Sequence, residues 1–434
     1  MLDKILRIIK KIIPIKIFKA LQPAYHYFLV ILGAFLYGFP AQKLFVVGVT
    51  GTKGKSTTAE LISKIFEAAG YKTALLSTIH FKRGEKSERN LYKMTMPGRF
   101  FVQKFLREAI RAGATHAVIE MTSEGARFYR HRYTEMNALV VTNLSPEHIE
   151  SHGTFENYKD AKLSIARELS LSAKRPRTLV VNTDDPHARD FLSSAEAEKK
   201  ISFSRKNSAY TENSGGISVP LAHGRAESAL IGEFNVENIL ASAALAEAMG
   251  IPEDKIIKGI AETQTIEGRL EHISMGQPFE VIVDYAHTPD SLEKVYKTFG
   301  RKRKICVLGG TGGGRDAWKR PEMGRIAEEY CEEIILTNED PYDEDPEKII
   351  AEIASGIKNK TPKIIIDRRE AIREGISLSK KGKILVITGK GTDPYIMEAN
   401  GKRTPWDDRD VAREELALAL EKNRIKTSPK KNDD

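Results

Sequence analysis

A glycine-rich turn that follows an apolar run constrains this 434-residue chain more than any other feature. Residues 44–57 read LFVVGVTGTKGKST, so the run leads into the turn, and Lys55 and Ser56 then open a helix-like segment. Glycines let the backbone approach a phosphate closely, and a helix N-terminus adds a positive dipole end. We expect Lys55 to reach the β and γ phosphates of a nucleotide and the Ser56 hydroxyl to bind magnesium. Val49 stands where the strict phosphate-loop pattern has its first glycine, and the loop alone leaves ATP and GTP open.

Short β-rich runs alternate with helix-like segments from residue 44 onward, which predicts a mainly parallel α/β sheet. The predicted fold is α/β, with a P-loop-type central ATPase domain followed by a smaller Rossmann-like C-terminal domain. We place these domains at residues 41–265 and 266–420, after a basic, amphipathic and hydrophobic segment over 1–40 and before a disordered basic tail over 421–434. Ligands bind at the carboxyl ends of strands in such sheets, so the polar residues after each run are candidate site residues.

The formal charge of +9 does not indicate a nucleic-acid-binding surface, because it is concentrated at the two ends of the chain. Residues 1–20 carry six Lys or Arg against Asp3, and residues 421–434 carry five basic residues against three acidic ones. The body is therefore close to neutral, and no nucleic-acid partner is expected. The two cysteines, Cys306 and Cys331, predict neither a disulfide framework nor a metal site, and they fit a reducing cytoplasm.

The first forty residues predict contact with a membrane surface or with the enzyme body. Residues 2–13 alternate aliphatic side chains with Lys and Arg at helical spacing up to Pro14, which indicates a basic amphipathic helix. Residues 24–39 are almost wholly apolar or aromatic, but they are fewer than the roughly 20 that a spanning helix needs. No small-residue cleavage site follows, so a secretory signal is not expected. We expect either an anchor at the inner face of the membrane or a helix packed on the body.

A series of motifs in a fixed order resembles the Mur ligase family of peptidoglycan synthesis. It reads GTKGKST, TNLSPEHIESHGTFENYKDAKLSI, LIGEFNVENILASAALA, GRLE, VDYAHTPDSL, GGTGGGRDAWKRPEMG and GKGTDPY, spans residues 41–415, and resembles most the branch that adds the third stem-peptide residue. The resemblance implies a ligase of cell-wall biogenesis, cell shape and cell division that uses ATP to activate a muramoyl-peptide carboxylate as an acyl phosphate, which an amine then attacks. Basic and apolar residues stand where the family has its UDP-binding domain, so UDP-linked and lipid-linked acceptors are both open.

The resemblance also implies two Mg²⁺ ions and a carbamylated lysine as cofactors beside ATP. Ser56 and Glu120 match the ligands of the first ion, and His148 matches the histidine of the second. Lys162 matches the lysine that the family carbamylates with carbon dioxide, which turns a cation into a carboxylate-like ligand. Outside the resemblance, Glu120 reads as an exposed strand-end acid and Lys162 as a helix-surface lysine. The predicted catalytic residues are Lys55, Glu120, His148 and Lys162.

The predicted ATP pocket combines the phosphate loop with two later motifs. In the resemblance, Asn235, Asn238 and Arg269 match adenine and phosphate contacts, and Asp284 and His287 match a segment that closes over the nucleotide. For His287, a structural or ribose contact is preferred to a role as catalytic base. The residues predicted to bind ATP are Gly51, Thr52, Lys53, Gly54, Lys55, Ser56, Thr57, Asn235, Asn238, Arg269, Asp284 and His287.

The predicted amino-acid site departs from the family branch that adds diaminopimelate. That branch carries a D-N-P-R run whose arginine clamps the distal carboxylate, whereas residues 339–342 read EDPY. Tyrosine cannot pair with a carboxylate in this way, so diaminopimelate is disfavoured, and the acidic replacements suit a cationic side chain such as lysine or ornithine. In the acceptor region, Glu124 replaces the usual histidine. The residues predicted to bind substrates are Thr95, Pro97, Thr122, Ser123, Asp316, Lys319, Arg320, Asp340, Tyr342, Lys390, Thr392 and Asp393.

Several other readings share part of this pattern. Folylpolyglutamate synthetase and cyanophycin synthetase resemble the chain in the loop, the lysine and the domain order, but the DYAHTP and KRPEMG runs favour the Mur branch. A membrane-associated nucleotide-binding scaffold that has lost ligation is a further alternative, and the intact catalytic set argues against it. A motor or transport ATPase would leave the later motifs without a purpose. We expect a cytoplasmic monomer whose partners are a muramoyl-peptide acceptor and an amino acid.

Overall fold

The computed structural model describes residues 15–147, 149–213, 215–315 and 317–427, with the backbone alone for 15–20 and 423–427. Four of the sequence predictions lie wholly or partly outside these residues. They are the basic amphipathic helix over 2–13, His148, Asp316 and residues 428–434 of the basic tail.

An eight-stranded sheet forms the centre of the first domain. Its strands are β1 (Phe45–Thr50), β2 (Thr73–Leu76), β3 (His80–Arg83), β4 (Lys86–Arg89), β5 (His116–Glu120), β6 (Ala138–Val141), β7 (Thr178–Asn182) and β8 (Lys199–Phe203). The strand order is β4-β3-β2-β5-β1-β6-β7-β8. In this order, every neighbouring pair from β2 across to β8 is parallel, and the pairs β2-β3 and β3-β4 at the other edge are antiparallel. The predicted mainly parallel sheet is confirmed.

Helices cover both faces of this sheet. They are α1 (Ile15–Leu36), α2 (Lys55–Ala68), α3 (Phe101–Arg111), α4 (Ser123–Arg127), α5 (Ile149–His152), α6 (Phe155–Leu171), α7 (Ala188–Ser194), α8 (Glu233–Ala248) and α9 (Glu253–Glu262), and a short 3₁₀ helix (Pro40–Lys43) links α1 to β1. Val46 on β1 belongs to the core on one face and Val47 to the core on the other. A strand that is buried on both faces is apolar throughout, which explains the continuous run that the sequence shows there.

A three-stranded antiparallel sheet lies beside the eight-stranded one and was not predicted. It consists of β9 (Thr211–Asn213), β10 (Gly216–Pro220) and β11 (Arg225–Ser228), in the order β11-β10-β9. Strand β9 consists of three exposed residues. A run of this length is too short for an alternation of apolar and polar residues to reveal a strand.

The second domain is built on a six-stranded sheet in the order β12-β13-β17-β14-β15-β16. Its strands are β12 (Glu271–His272), β13 (Glu280–Asp284), β14 (Arg303–Leu308), β15 (Glu333–Leu336), β16 (Lys363–Ile364) and β17 (Lys383–Thr388), and a hairpin of β18 (Tyr395–Met397) and β19 (Arg403–Pro405) follows across a 3₁₀ turn (Ala399–Gly401). The helices are α10 (Pro289–Thr298), α11 (Lys319–Tyr330), α12 (Pro346–Ala354), α13 (Arg368–Leu378) and α14 (Asp408–Thr427). The predicted second α/β unit is confirmed, and the domain limits stay a prediction.

Two expectations are wrong in this domain. Cys306 on β14 and Cys331 after α11 form a disulfide, with their Cα atoms 6.0 Å apart. They are 25 residues apart in the chain and meet because β14 and β15 are neighbours, a pairing that cysteine spacing does not reveal. In addition, α14 continues through residues 421–427, which were assigned to the disordered tail.

The amino-terminal helix α1 packs on the first domain through one face. His26, Val30 and Ala34 are buried there, at helical spacing. Within the described residues, the structure has no helix whose length and apolar character would let it cross a membrane.

Candidate active site

A cavity of about 1120 Å³ lies between the two domains and is lined by both of them. It collects the phosphate loop, the carboxyl end of β5 and the loop that follows β13. The predicted site residues that line it are Thr52, Lys53, Gly54, Lys55, Ser56, Thr57, Thr95, Glu120, Thr122, Ser123, Asn238, Arg269, Asp284, His287 and Asp393. Among the described residues, the predicted ones that do not line it are Gly51, Pro97, Lys162, Asn235, Lys319, Arg320, Asp340, Tyr342, Lys390 and Thr392.

The phosphate loop is held so closely that two of its glycines cannot be replaced. Gly51 and Gly54 have φ angles of 147° and 81°. A Cβ atom on Gly51 would lie 1.9 Å from Thr142 Oγ1, and one on Gly54 would lie 2.2 Å from Asn238 Oδ1. The Lys55 Nζ donates to the Thr52 carbonyl oxygen at 2.9 Å, and burial lowers the pKa of Lys55. The loop therefore places the N-terminus of α2 and the Lys55 side chain at one end of the cavity.

Ser56 and Glu120 lie next to each other at the base of this loop. The Ser56 hydroxyl donates to Glu120 Oε2 at 3.0 Å, and the Thr78 backbone N–H donates to the same oxygen at 2.8 Å. Glu120 is 2% exposed, so it is not the exposed strand-end acid of the alternative reading. A hydroxyl and a carboxylate oxygen at this place fit the ligand chemistry of Mg²⁺. Across the residues that the structure describes, no group of three His, Cys, Asp or Glu side chains forms a further metal site.

Lys162 on α6 is a buried lysine beneath the phosphate loop. Its Nζ donates to the Gly51 carbonyl oxygen at 2.7 Å and lies 5.0 Å from the centre of the Tyr158 ring. Burial, and secondly the nearby Lys55 charge, hold the pKa of Lys162 well below its usual value. The alternative reading of a helix-surface lysine does not fit a side chain with 2% exposure.

Lys53 joins the phosphate loop to the second domain. Its Nζ donates to Glu147 Oε1 at 2.7 Å and to the Thr288 hydroxyl, at the start of α10, at 3.3 Å. The sequence reasoning missed Glu147 and Thr288, although each directly adjoins a predicted residue, His148 and His287. Their positions next to these motif residues were the signal that could have identified them.

Another end of the cavity is formed by α8 and the start of the second domain. Asn238 Nδ2 donates to Asn235 Oδ1 at 2.8 Å, and the Thr58 hydroxyl donates to Asn238 Oδ1 at 3.2 Å. The Arg269 guanidinium lies 4.5 Å from the centre of the Tyr285 ring. Asn235 supports the amide of Asn238 from behind, while Asn238 and Arg269 themselves reach the cavity.

Asp284 and His287 have different surroundings in the loop after β13. The Asp284 carboxylate accepts the backbone N–H groups of Ala286 and Leu270, both at 2.7 Å, which holds the loop in shape. His287 Nδ1 lies 2.8 Å from the Tyr285 carbonyl oxygen. Burial, followed by the Lys53 charge, lowers the pKa of His287 to about 4, so its ring is neutral and a weak proton acceptor near pH 7. This geometry supports the structural or ribose contact over the catalytic base.

The predicted acceptor residues lie on the opposite side of the loop. The Thr95 and Thr78 hydroxyls are 2.7 Å apart, and the Thr122 hydroxyl accepts the Gly125 N–H at 3.0 Å as the N-cap of α4. The Ser123 hydroxyl lies 3.2 Å from His152 Nε2. Sequence reasoning singled out neither Lys93 nor Arg130 here, although both line the cavity. An isolated Lys or Arg in a loop carries no motif signal.

A four-charge cluster links the acceptor side to the second domain. Lys390 Nζ donates to Asp340 Oδ1 at 2.9 Å and to Asp393 Oδ2 at 3.1 Å. Lys93 reaches across from the first domain to the same two carboxylates, with 3.2 Å to Asp393 Oδ2 and a second ion pair to Asp340. The Tyr342 ring centre lies 5.9 Å from Lys93 Nζ. Of these five side chains, Lys93 and Asp393 line the cavity.

The basic run at the start of α11 lies apart from the cavity lining. Arg320 pairs with Glu344 at 2.8 Å and with Glu352 at 2.6 Å, so its charge is balanced within the second domain. Lys319 Nζ lies 5.9 Å from the centre of the Trp318 ring. Arg315, which the sequence analysis did not select, lines the cavity instead.

Comparisons with known proteins agree on one family. The model of the Mur ligase middle domain matches residues 49–246, and that of the Mur ligase, glutamate ligase domain matches residues 268–391. A UDP-N-acetylmuramoyl-L-alanyl-D-glutamate--2,6-diaminopimelate ligase of Halalkalibacterium halodurans is 36% identical over 391 residues, which cover 88% of this chain and 80% of that protein. A UDP-N-acetylmuramyl-tripeptide synthetase of Roseiflexus sp. is 36% identical over 413 residues, with 89% and 81% covered.

Solved structures show the same architecture. A UDP-N-acetylmuramoyl-L-alanyl-D-glutamate--2,6-diaminopimelate ligase has 31% identity and a TM-score of 0.59, and the match covers 87% of this chain and 79% of that one. A Mycobacterium tuberculosis folylpolyglutamate synthase complexed with ADP has 17% identity and a TM-score of 0.67, with 90% and 93% covered. At that identity the second likeness concerns the fold alone.

Proposed function

The chain belongs to the Mur ligase family of ATP-dependent, amide-forming ligases, and we propose that it joins a muramoyl-peptide carboxylate to an amino acid during peptidoglycan precursor synthesis. One observation carries the proposal. Lys55, Ser56 and Glu120 line the same cavity as Thr95 on the acceptor side and Asp393 of the second domain. Nucleotide, carboxylate and amine can therefore meet at one place, which is what a ligation needs.

The reaction that fits this arrangement has two steps. A carboxylate oxygen of the acceptor attacks the γ-phosphorus of ATP, the bond to the ADP oxygen breaks, and an acyl phosphate forms. The amine nitrogen then attacks the carbonyl carbon, the carbon–oxygen bond to phosphate breaks, and the amine proton passes to the departing phosphate. Lys55 is placed to offset the charge on the phosphate oxygens, and the α2 N-terminus adds its backbone N–H groups.

Two Mg²⁺ ions are part of the proposal, and when bound they supply positive charge beside the phosphates. Ser56 and Glu120 would hold the first ion, and His148 with a carbamylated Lys162 the second. The low pKa of Lys162 supports carbamylation, because a neutral amine has the lone pair that attacks carbon dioxide. Carbamylation would thus put carbamate oxygens at this position. Such oxygens bind a hard cation, whereas a protonated lysine would repel it.

The remaining predicted residues divide between ATP and the amino acid. The end of the cavity lined by Asn238, Arg269 and His287 is proposed to take the base and ribose, with Asn235 holding the Asn238 amide and Asp284 shaping the loop that carries His287. Asp340 and Asp393 are already paired with Lys390 and Lys93, so the preference for an amino acid with a cationic side chain rests on the acidic replacements in residues 339–342 alone. Tyr342 offers no guanidinium for a distal carboxylate. Diaminopimelate is therefore disfavoured as the amine substrate.

The same proposal places the enzyme in the cytoplasm as a monomer, at the inner face of the membrane. What supports the membrane contact is the excess of Lys and Arg in residues 1–20 together with the apolar character of residues 24–39. Folylpolyglutamate synthesis receives no support beyond a shared fold. A scaffold without activity does not explain why Lys55, Glu120 and Lys162 are all retained in one arrangement.

Phosphate release from ATP by the purified chain tests the function directly. The assay combines UDP-N-acetylmuramoyl-dipeptide with a panel of amino acids, and mass spectrometry identifies the product. We expect release that requires the acceptor and one amino acid, with the mass of an added residue, and no release from the Lys55→Met variant. Release that is independent of both substrates, or ligation of glutamate to a folate offered in place of the muramoyl-dipeptide, would overturn the proposal.

A further inference from the structure

Helix α1 presents a second apolar face, which points away from the body. Leu21, Phe28 and Phe35 are seven residues apart, so they lie on one side of the helix, and no charged residue occurs between 21 and 36. Large side chains of this kind are exposed together only when something covers them in the working protein. We call the set the outer stripe. Its members and their exposed fractions are Leu21 56%, Phe28 60%, Phe35 69% and Leu36 63%.

The inner face of α1 is attached beside the acceptor side of the cavity. Arg99 Nε donates to His26 Nδ1 at 2.6 Å, and the His26 ring meets the Phe128 ring edge-on at 4.9 Å. Phe128 directly follows α4, whose first turn at Ser123 lines the cavity. Gly33 lets α1 approach so closely that a Cβ atom there would lie 3.0 Å from the ring of Phe100. The outer stripe is therefore held in a fixed relation to the cavity wall at Ser123, which we call the acceptor entrance.

Positive charge gathers beside this helix, where Glu124 lies near Arg130 without forming an ion pair with it among the described residues. Arg99, Arg127 and Arg130 stack on the Tyr25 or Phe128 rings, and none of the three has an ion pair with a carboxylate in the described part of the chain. Residues 1–20 add six Lys or Arg against one Asp. Two copies of the chain that met through their outer stripes would bring these charges together, whereas an anionic surface would neutralise them. Charge complementarity thus favours a lipid surface over a second copy.

We propose that the outer stripe docks on an anionic lipid bilayer and turns the acceptor entrance toward it, so that the acceptor is a muramoyl-peptide carried on a membrane lipid. The apolar side chains enter the boundary of the headgroups and acyl chains, and the arginines and amino-terminal lysines contact the anionic headgroups. The identity of the acceptor rests on the proposed ligase function. The docking itself does not, because it depends on the outer stripe and the basic residues near it and not on any catalytic residue.

Vesicle sedimentation of the full chain tests the docking. The probes are vesicles of phosphatidylcholine alone and of phosphatidylcholine mixed with phosphatidylglycerol. We expect binding to the mixed vesicles and about tenfold weaker partitioning of the double variant Phe28→Ser, Phe35→Ser, because two buried aromatic side chains are lost from the contact. The matched control is Leu171→Ser, since Leu171 is 66% exposed at the end of α6 and far along the chain from α1. It should bind as the unaltered chain does.

The outcomes separate docking from ligation. Equal sedimentation of the double variant and the unaltered chain, or dimers in vesicle-free solution that the double variant abolishes, would overturn the docking. Ligation is then measured with a soluble UDP-linked acceptor and with a lipid-linked acceptor in mixed vesicles. The double variant should lose about tenfold in rate on the vesicle-borne acceptor alone, in line with its partitioning. A loss of rate on both acceptors, or a clear preference of the unaltered chain for the soluble acceptor, would overturn the proposal that the acceptor is carried on a lipid. If neither acceptor is ligated, the ligase function is refuted, and the sedimentation result still stands.

Discussion

Lys162 Nζ donates a hydrogen bond of 2.7 Å to the carbonyl oxygen of Gly51, directly beneath the phosphate loop. Burial holds the pKa of this lysine well below its usual value. A lysine in such a place reacts with carbon dioxide more readily than an exposed one, because a lowered pKa raises the fraction of amine that has a free lone pair. The contact therefore connects the loop conformation to the chemistry expected at Lys162.

Replacement of Lys162 by alanine is expected to lower the rate of ATP-dependent ligation by roughly a hundredfold, because a metal-binding group beside the phosphates is lost. Short-chain carboxylates such as acetate should restore part of the rate, since they can occupy the place of the carbamate. Lys159→Ala is the matched control on the same helix, where Lys159 pairs with Asp190 at 3.0 Å near the surface. Unaltered turnover of Lys162→Ala would refute the role.

Arg89 is expected to hold the two domains together during catalysis. Its Nη2 pairs with Asp407 Oδ2 at 2.8 Å and donates to the Thr392 carbonyl oxygen at 2.9 Å, both in the second domain. Arg89→Met should lower kcat by about tenfold, or ~1.4 kcal/mol in activation free energy, because the closed arrangement becomes less populated. Arg83→Met is the control, since Arg83 pairs within the first domain with Glu108 at 3.0 Å. If both variants keep the same kcat, domain closure does not depend on this contact.

Acid is expected to destabilise the chain through His131. Burial, as the largest cause, lowers the pKa of His131 from 6.5 to about 3, so the folded state keeps it neutral where the unfolded chain binds a proton. Its contribution is complete above pH 6.5 and is lost as the pH falls from there toward 3. At pH 5 the loss is about 2 kcal/mol of unfolding free energy. Urea unfolding at pH 7 and pH 5 measures it, and the pH-dependent loss should shrink by that amount in His131→Phe but stay unchanged in His223→Phe, at an exposed position.

The ion pair between Arg368 and Asp408 is expected to be important for the stability of the second domain. It is bidentate, with distances of 2.8 and 2.7 Å, and both side chains are fully buried. Asp408→Asn should lower the unfolding free energy by about 3–5 kcal/mol, because it leaves a buried guanidinium without its counter-charge. The control is Glu414, an exposed residue on the same helix as Asp408, which pairs with Arg369 on α13. Glu414→Gln should cost less than about 1 kcal/mol, and an equal effect of both substitutions would contradict the argument.

The local parts of the fold and site were predictable from the sequence. The run before the phosphate loop forms β1, and the segment from Lys55 forms α2, as the pattern of apolar residues and glycines indicated. Glu120 and Lys162 were found by family motifs, and their burial distinguishes them from the surface residues of the alternative reading. Motif and periodicity describe residues that are close in the chain, and these elements depend on little else.

The distant contacts were not predictable in the same way. Lys53 and Thr288 are 235 residues apart, and Lys93 and Asp340 are 247 residues apart, yet both pairs join the two domains. Cys306 on β14 and Cys331, just before β15, pair because β14 and β15 are neighbours, which no spacing rule indicated. Such contacts depend on how the sheets order their strands and how the domains close, and neither is written in a local pattern.

The sequence by itself determined the α/β class, the phosphate loop and the family of this protein, because those properties reside in short runs of residues with defined chemistry. Only the tertiary structure decided that Lys162 is buried under Gly51, that Lys93 crosses to the carboxylates of the second domain, and that α1 keeps an apolar face outward. The physical reason is that burial and charge pairing are properties of surfaces brought together by folding. A lysine or phenylalanine can be an ordinary solvent-exposed residue or part of a site, and which of the two it is depends on the residues that the fold places against it.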